Sequence, residues 1–301
     1  VPRGRPHIKS FRAVATDKGE WETSATGQRT ESEGRGDGEG ASDGGEMLAV
    51  FDPTVAKCPE GLRSPPVAGA AAGAGGAGAG ALMKGFSDSH DGAVTVSLGP
   101  SGALAYSAAN QSPLVPRLFG AVNDIFCLFQ GHIENIANLK QHYGLSKTAN
   151  EVTILIEAYR TLRDRGPVPA SQVVRDLSGK FAFILYDTLS KSTFVAADAD
   201  GSIPFFWGVD YENHLVFSDD VGILKTGCGN SYAPFPKGCF YTTSGGLQSF
   251  EHPLHEVKAV PRVDSQGQMC GSIFKVDSES KKKQDASIPR VGSAADWSNQ
   301  F

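Results

Sequence analysis

Apolar residues gather into periodic runs only from residue 47 onward. The first 46 residues are rich in Gly, Glu, Ser, Arg and Asp and show no hydrophobic period. Such a stretch buries too little surface to offset the entropy of ordering it. Residues 1–46 are therefore expected to be a disordered leader, with Met47 as the natural start of the protein and a genuine disordered extension as the alternative. Met47-Leu48-Ala49-Val50-Phe51 reads as a buried strand. An Ala/Gly-rich linker is expected over about 58–85. Val94, Val96 and Leu98 then alternate ahead of Gly99-Pro100-Ser101-Gly102, and Ala103–Ser107 follows, which is a strand, turn, strand pattern. The unbroken apolar run Ile125–Gln130, ending at Gly131, predicts a strand buried on both faces.

Helical spacing appears next. Ile133–His142 predicts one helix, stopped by Gly144. Residues 149–163 predict the strongest, with Val152, Leu155, Ile156, Tyr159 and Leu162 on one stripe. Thr148 is the expected N-cap, with Glu151 completing a capping box. A short helix is expected at 170–177. Beyond Gly179, the runs Phe181–Asp187, Ser192–Ala197, Pro204–Val209 and His214–Ser218 are joined by tight turns and predict an antiparallel meander. A helix over Asp220–Lys225 and strands at Gly238–Thr243 and Ala259–Val263 complete the pattern. The tail from Asp277 is polar. Helices set between groups of strands fit a layered α+β sandwich.

Composition narrows this only slightly. The 301 residues are 40% hydrophobic, which suits one sizeable domain with polar flanks. A net charge of -5, with Lys281–Lys283 as the only tight basic cluster, gives no reason to expect nucleic acid as a partner. The five cysteines form no C-x-x-C pair and read as reduced, mostly buried thiols. No apolar run long enough for a transmembrane segment is visible, and no secretory signal. A cytoplasmic location is expected, with the nucleus or the inner surface of the plasma membrane as alternatives.

Tyr143-Gly144-Leu145 and Leu162-Arg163-Asp164-Arg165 resemble the two signature motifs of the plant aluminium-induced proteins with YGL and LRDR motifs, also called stem-specific or auxin-repressed-like proteins. The start at Met47–Phe51 and the tail Ser287-Ile288-Pro289-Arg290 with Gly292, Ser293 and Trp297 are similar to the same family. That family in turn resembles the class II glutamine amidotransferase domain of asparagine synthetase. The resemblance implies an N-terminal-nucleophile fold, a four-layer αββα sandwich, spanning about residues 47–276. It also implies a role in stress, auxin or aluminium response. Arg117-Leu118 is similar to the arginine segment that holds the glutamine carboxylate, and Gln130-Gly131 to the pair that builds the oxyanion hole.

The chemistry of such a glutaminase needs a processed chain that begins with cysteine, whose thiol attacks the amide while its own α-amine takes the proton. On the same resemblance, the position after Met47 belongs to that nucleophile and holds Leu48, and the aspartate that binds the substrate amine appears as Ala149. Gln130 replaces an asparagine and is one methylene longer. No catalytic residue, cofactor or metal ligand is assigned. Arg117, Gln130 and Gly131 are expected to form a vestigial pocket for a small amino acid or metabolite. The expected function is a non-catalytic binding or regulatory protein. The alternatives are an active amidohydrolase with a non-standard nucleophile and a self-associating storage or scaffold protein. Sheet edges and the exposed face of an empty pocket are compatible with a homodimer.

Overall fold

The computed structural model describes residues 11–15, 21–25, 47–64, 78–109, 117–165, 170–263 and 269–281. In chain order the strands are β1 (Phe11–Ala15), β2 (Trp21–Ala25), β3 (Met47–Phe51), β4 (Val94–Ser97), β5 (Gly102–Tyr106), β6 (Arg117–Val122), β7 (Ile125–Ile133), β8 (Gly179–Asp187) and β9 (Ser192–Ala197). They continue with β10 (Phe206–Val209), β11 (Leu215–Ser218), β12 (Tyr232–Pro234), β13 (Cys239–Thr242), β14 (Gly246–Ser249), β15 (His255–Val263) and β16 (Met269–Lys281). The helices are α1 (Ala79–Ser89), α2 (Ile136–His142), α3 (Glu151–Arg165), α4 (Ala170–Arg175) and α5 (Val221–Cys228).

Two sheets face each other. One runs β12-β10-β11-β3-β5-β4-β1-β2 and the other β14-β13-β9-β8-β7-β6, while β15 and β16 pair separately. Phe51, Leu128, Tyr186, Trp207, Phe217 and Tyr241 meet in the apolar layer between the sheets. On the outer face of the six-stranded sheet, β7 and β8 pack against α2, α3 and α4 through Phe129, Ile133, Leu155, Tyr159, Val174 and Phe183. On the outer face of the eight-stranded sheet, α1 and α5 cover Leu48, Val50 and Val216 with Leu82, Phe86 and Leu224. This is the four-layer αββα sandwich. It explains why β3, β7 and β8 read as continuous apolar runs: both faces of a central strand are covered, so no polar alternation survives.

Local chemistry sets the boundaries. The β6–β7 hairpin turns on Asn123 and Asp124, both at positive φ (47° and 65°), the geometry of a type I′ turn. Helix α2 ends in a Schellman motif. Gly144 takes φ 65°, its N–H donates to the Gln141 carbonyl at 3.3 Å, and Leu145 N–H donates to the Lys140 carbonyl at 2.8 Å. The Tyr143-Gly144-Leu145 segment is thus a helix stop whose flanking side chains dock on the core. Arg163 anchors the end of α3. Arg163 Nη1 donates to Asp187 Oδ2 at 2.9 Å, and Nε donates to Asp164 at 2.7 Å. Tyr159 Oη adds a 3.0 Å bond to the same fully buried Asp187.

Several expectations change. The linker expected over 58–85 gives way at residue 79, where α1 begins. Leu82, Met83 and Phe86 share one helical face and bury it on β3 and β5, and that burial outweighs the weak helix propensity of the glycines. The Ala/Gly tract over 65–77 lies outside the described residues. The meander divides between sheets: β8 and β9 pair in one, β10 and β11 in the other. The chain crosses over at Asp198, whose carboxylate accepts N–H bonds from Phe181, Asp200 and Ser202. Asn150 caps α3 in place of Thr148, accepting from Thr153 N–H at 3.0 Å, while Thr148 Oγ1 bonds Ser146. Within 1–46, where no regular element is expected, β1 and β2 form a hairpin, and β1 runs parallel to β4. The rest of that stretch, and the tail beyond 281, lie outside the described residues.

Candidate functional site

Strand β3 occupies the middle of the eight-stranded sheet, between β11 and β5. Alternation along it fixes where each side chain goes. Met47, Ala49 and Phe51 enter the layer between the sheets, whereas Leu48 and Val50 point the other way, beneath α1 and α5. Leu48 is 0% exposed. The Met47 N–H is also committed, donating to Asp219 Oδ1 at 2.9 Å.

Gln130 and Gly131 lie on β7. Leu128 faces the other sheet, so by alternation Gln130 faces it too. Arg117 stands opposite Gln130 in the β6–β7 ladder. Met47 pairs with Tyr106, whose ring lies 6.1 Å from that of Phe119, and Phe119 in turn pairs with Leu128. The start of β3 therefore approaches the same end of the sandwich as Gln130. Leu48 does not join them, because its side chain is on the far face of its sheet. Its hydrocarbon fills the helix-covered core.

Gln130 is 6% exposed, and its carboxamide oxygen is buried without a hydrogen-bond partner among the described residues. A buried acceptor left in this state costs free energy unless a donor reaches it. Gly131 is required by the backbone. It sits at φ 118°, and a Cβ there would collide with the Lys180 carbonyl of β8. Ala149, on the loop before α3, is buried and brings no charge.

The described thiols are shifted away from the thiolate. Burial raises Cys58, Cys127 and Cys228 above the ordinary thiol value and pushes Cys239 up to about 12. An activated cysteine needs the opposite shift. Cys127 faces the helices on β7, away from Gln130.

A second polar constellation, which the sequence reading did not single out, lies at the other end of β3. In the β10–β11 turn, Asp210 Oδ1 accepts from the Glu212 and His214 N–H groups at 2.9 and 2.8 Å, and Oδ2 meets His214 Nδ1 at 2.7 Å. His214 Nε2 is 3.9 Å from Asp52 Oδ2. Asp52 uses its other oxygen, Oδ1, to accept from Thr54 N and Oγ1 at 2.9 and 2.6 Å. A cavity of about 220 Å³ opens beside the pair, lined by Asp52, His214, Met83, Pro100 and the first residues of α1. The signal available in the sequence was the spacing Asp210, Glu212, His214 within one turn, which groups three potential metal donors.

Comparison with known proteins follows the same outline. A family model described as aluminium induced protein matches residues 48–276. The stem-specific protein TSJT1 of Nicotiana tabacum is 38% identical over 150 residues, covering 50% of this chain and 99% of that protein. Asparagine synthetase [glutamine-hydrolyzing] 2 of Oryza sativa subsp. japonica is 30% identical over 131 residues, covering 43% of this chain. This chain spans only 20% of that synthetase. Among solved structures, the glutamine phosphoribosylpyrophosphate amidotransferase of B. subtilis aligns with a TM-score of 0.37 at 18% identity, over 50% of this chain and 35% of that one.

Proposed function

The chain belongs to the aluminium-induced protein family, and on that footing we propose that it is a non-catalytic glutamine-amidotransferase-like protein with a binding or regulatory role in the plant stress, auxin or aluminium response. The observation that carries the non-catalytic part is the direction of β3. An N-terminal-nucleophile enzyme must deliver a thiol and a free amine beside its oxyanion donors. Here Leu48 turns away under α1 and α5, the Met47 N–H is held by Asp219, and burial raises the described thiols Cys58, Cys127, Cys228 and Cys239 above the ordinary thiol value.

The binding part rests on Gln130. Its unpartnered buried oxygen can receive an N–H or O–H from a small amino acid or metabolite entering between the sheets. Isothermal calorimetry of the full chain with glutamine, asparagine and glutamate tests this. Saturable heat that disappears in Gln130→Leu supports the reading. An absence of heat at millimolar ligand, or equal heat in the variant, removes the pocket. The variant itself is expected to be as stable as the parent or slightly more so, because it deletes an unsatisfied acceptor.

A further inference from the structure

The eight-stranded sheet ends in a strand pair, β1 and β2, that lies outside the family-matched residues 48–276. Within those residues the sheet stops at β4, and β1 extends it. Arg12, Ala13 and Val14 stand opposite Thr95, Val96 and Ser97, with β1 parallel to β4. The other neighbour of β4 is β5, which is antiparallel to it. β2 then closes the edge, antiparallel to β1. Without β1, the edge left behind would be Val94-Thr95-Val96-Ser97. It carries neither charge nor proline and is rich in β-branched side chains, the kind of edge that templates pairing with another chain. The other sheet edges differ. β12 ends in Pro234 and lies against β16, β14 lies beside β15, and β6 begins with Arg117. β2 brings Glu22 to the new outer edge. Charge and proline on an edge strand discourage further pairing, so the hairpin replaces an adhesive edge with a guarded one.

We propose that the β1–β2 hairpin is a detachable guard of the β4 edge, and that its release lets β4 pair with the same strand of a second copy of this chain. Two features make the guard releasable. Its register with β4 covers three residues, against five between β3 and β5, and parallel pairing is slightly weaker per residue than antiparallel. A two-stranded hairpin on its own is also marginally stable in water. Attachment is what holds it. Because β1 belongs to the same chain, its pairing is intramolecular and outcompetes a second copy at low protein concentration. A second copy suits the bared edge because two uncharged, proline-free strands add to each other without repulsion, and main-chain hydrogen bonds supply the affinity. The guard requires nothing of the Gln130 pocket and stands or falls separately from it.

Sedimentation velocity and hydrogen exchange of the full chain test the guard. Ala13→Pro puts a residue without an N–H in the middle of β1, between β4 and β2, and so breaks the ladder. The variant should sediment at twice the parent's mass at micromolar concentration. After dilution below its dissociation, its peptide spanning 93–98 should exchange faster than the parent's. Adding Thr95→Lys, which charges the bared edge, should return the variant to the parent's mass. A full chain with a protease site introduced between residues 26 and 46, cut after folding, should show the same doubling, because the hairpin is then no longer tethered. That cut chain decides alone if Ala13→Pro misfolds. An unchanged mass in the folded proline variant or the cut chain overturns the proposal. So does a doubling that survives Thr95→Lys, or exchange at 93–98 equal to the parent's.

Discussion

Replacing Arg163 by Ala is expected to loosen the junction between α3 and the β8–β9 hairpin. In the parent, the Asp187 carboxylate is 0% exposed and receives Arg163 Nη1 at 2.9 Å, Tyr159 Oη at 3.0 Å and the Leu189 N–H at 2.9 Å. Burial pushes the Asp187 carboxyl up, but the bonds from Arg163, Ser190 and Tyr159 together outweigh it and hold it below the usual carboxylate range. Removing one partner of a buried pair costs about 3–5 kcal/mol when both groups are fully enclosed. The Arg163 side chain keeps 26% exposure, so water screens part of the interaction and about 2–3 kcal/mol is expected. Urea unfolding followed by circular dichroism at pH 7 measures the difference. A carboxyl whose folded-state value is depressed stabilises above its unfolded value near 4, and that contribution fades as pH falls through the folded value. The gap between parent and variant should therefore be full at pH 7 and shrink below pH 4. The companion Asp164→Ala, whose carboxylate is exposed, should leave the midpoint unchanged. A variant as stable as the parent at pH 7, or a gap that widens in acid, would refute this account of the Leu162–Arg165 motif.

Three further outcomes follow from the same geometry. Gly131→Ala should cost more than the ~1–3 kcal/mol of a strained left-handed residue, because the added Cβ also strikes the Lys180 carbonyl; thermal melting shows it, and an unchanged midpoint contradicts it. Asn150→Ala should lose about 0.5–2 kcal/mol of stability while Thr148→Ala loses less, since only Asn150 caps α3; denaturation of the pair gives the order. A thiol introduced as Leu48→Cys should resist iodoacetamide in the native state, being sealed beneath α1 and α5. Rapid alkylation of that thiol, followed by mass spectrometry, would show that the residue faces an open site.

Much of the fold could be read from the chain because local and tertiary signals agreed. The β3, β7 and β8 runs, the α3 stripe and the Gly144 stop all became the expected elements. Where they disagreed, distant contacts decided. Nothing local separates the glycine-bearing stretch of α1 from a linker until Leu82 and Phe86 find the sheet. Strand β6 was missed although Asn123-Asp124 marked its hairpin. The site was less legible for a related reason. In a sandwich covered on both sides, both faces of β3 are apolar, so the sequence cannot tell which face meets the other sheet. Only the coordinates separate Met47 from Leu48, and only they bring Asp52 within 3.9 Å of His214.

Ammonia release from glutamine by the purified full chain bears most directly on the central claim, that the leading strand of this fold delivers no nucleophile to the Gln130 end of the sandwich. The account predicts release at the rate of buffer alone, unaffected by a thiol alkylator, and no glutamyl adduct in the intact mass spectrum. Alkylator-sensitive release, together with an adduct on any cysteine, would contradict it.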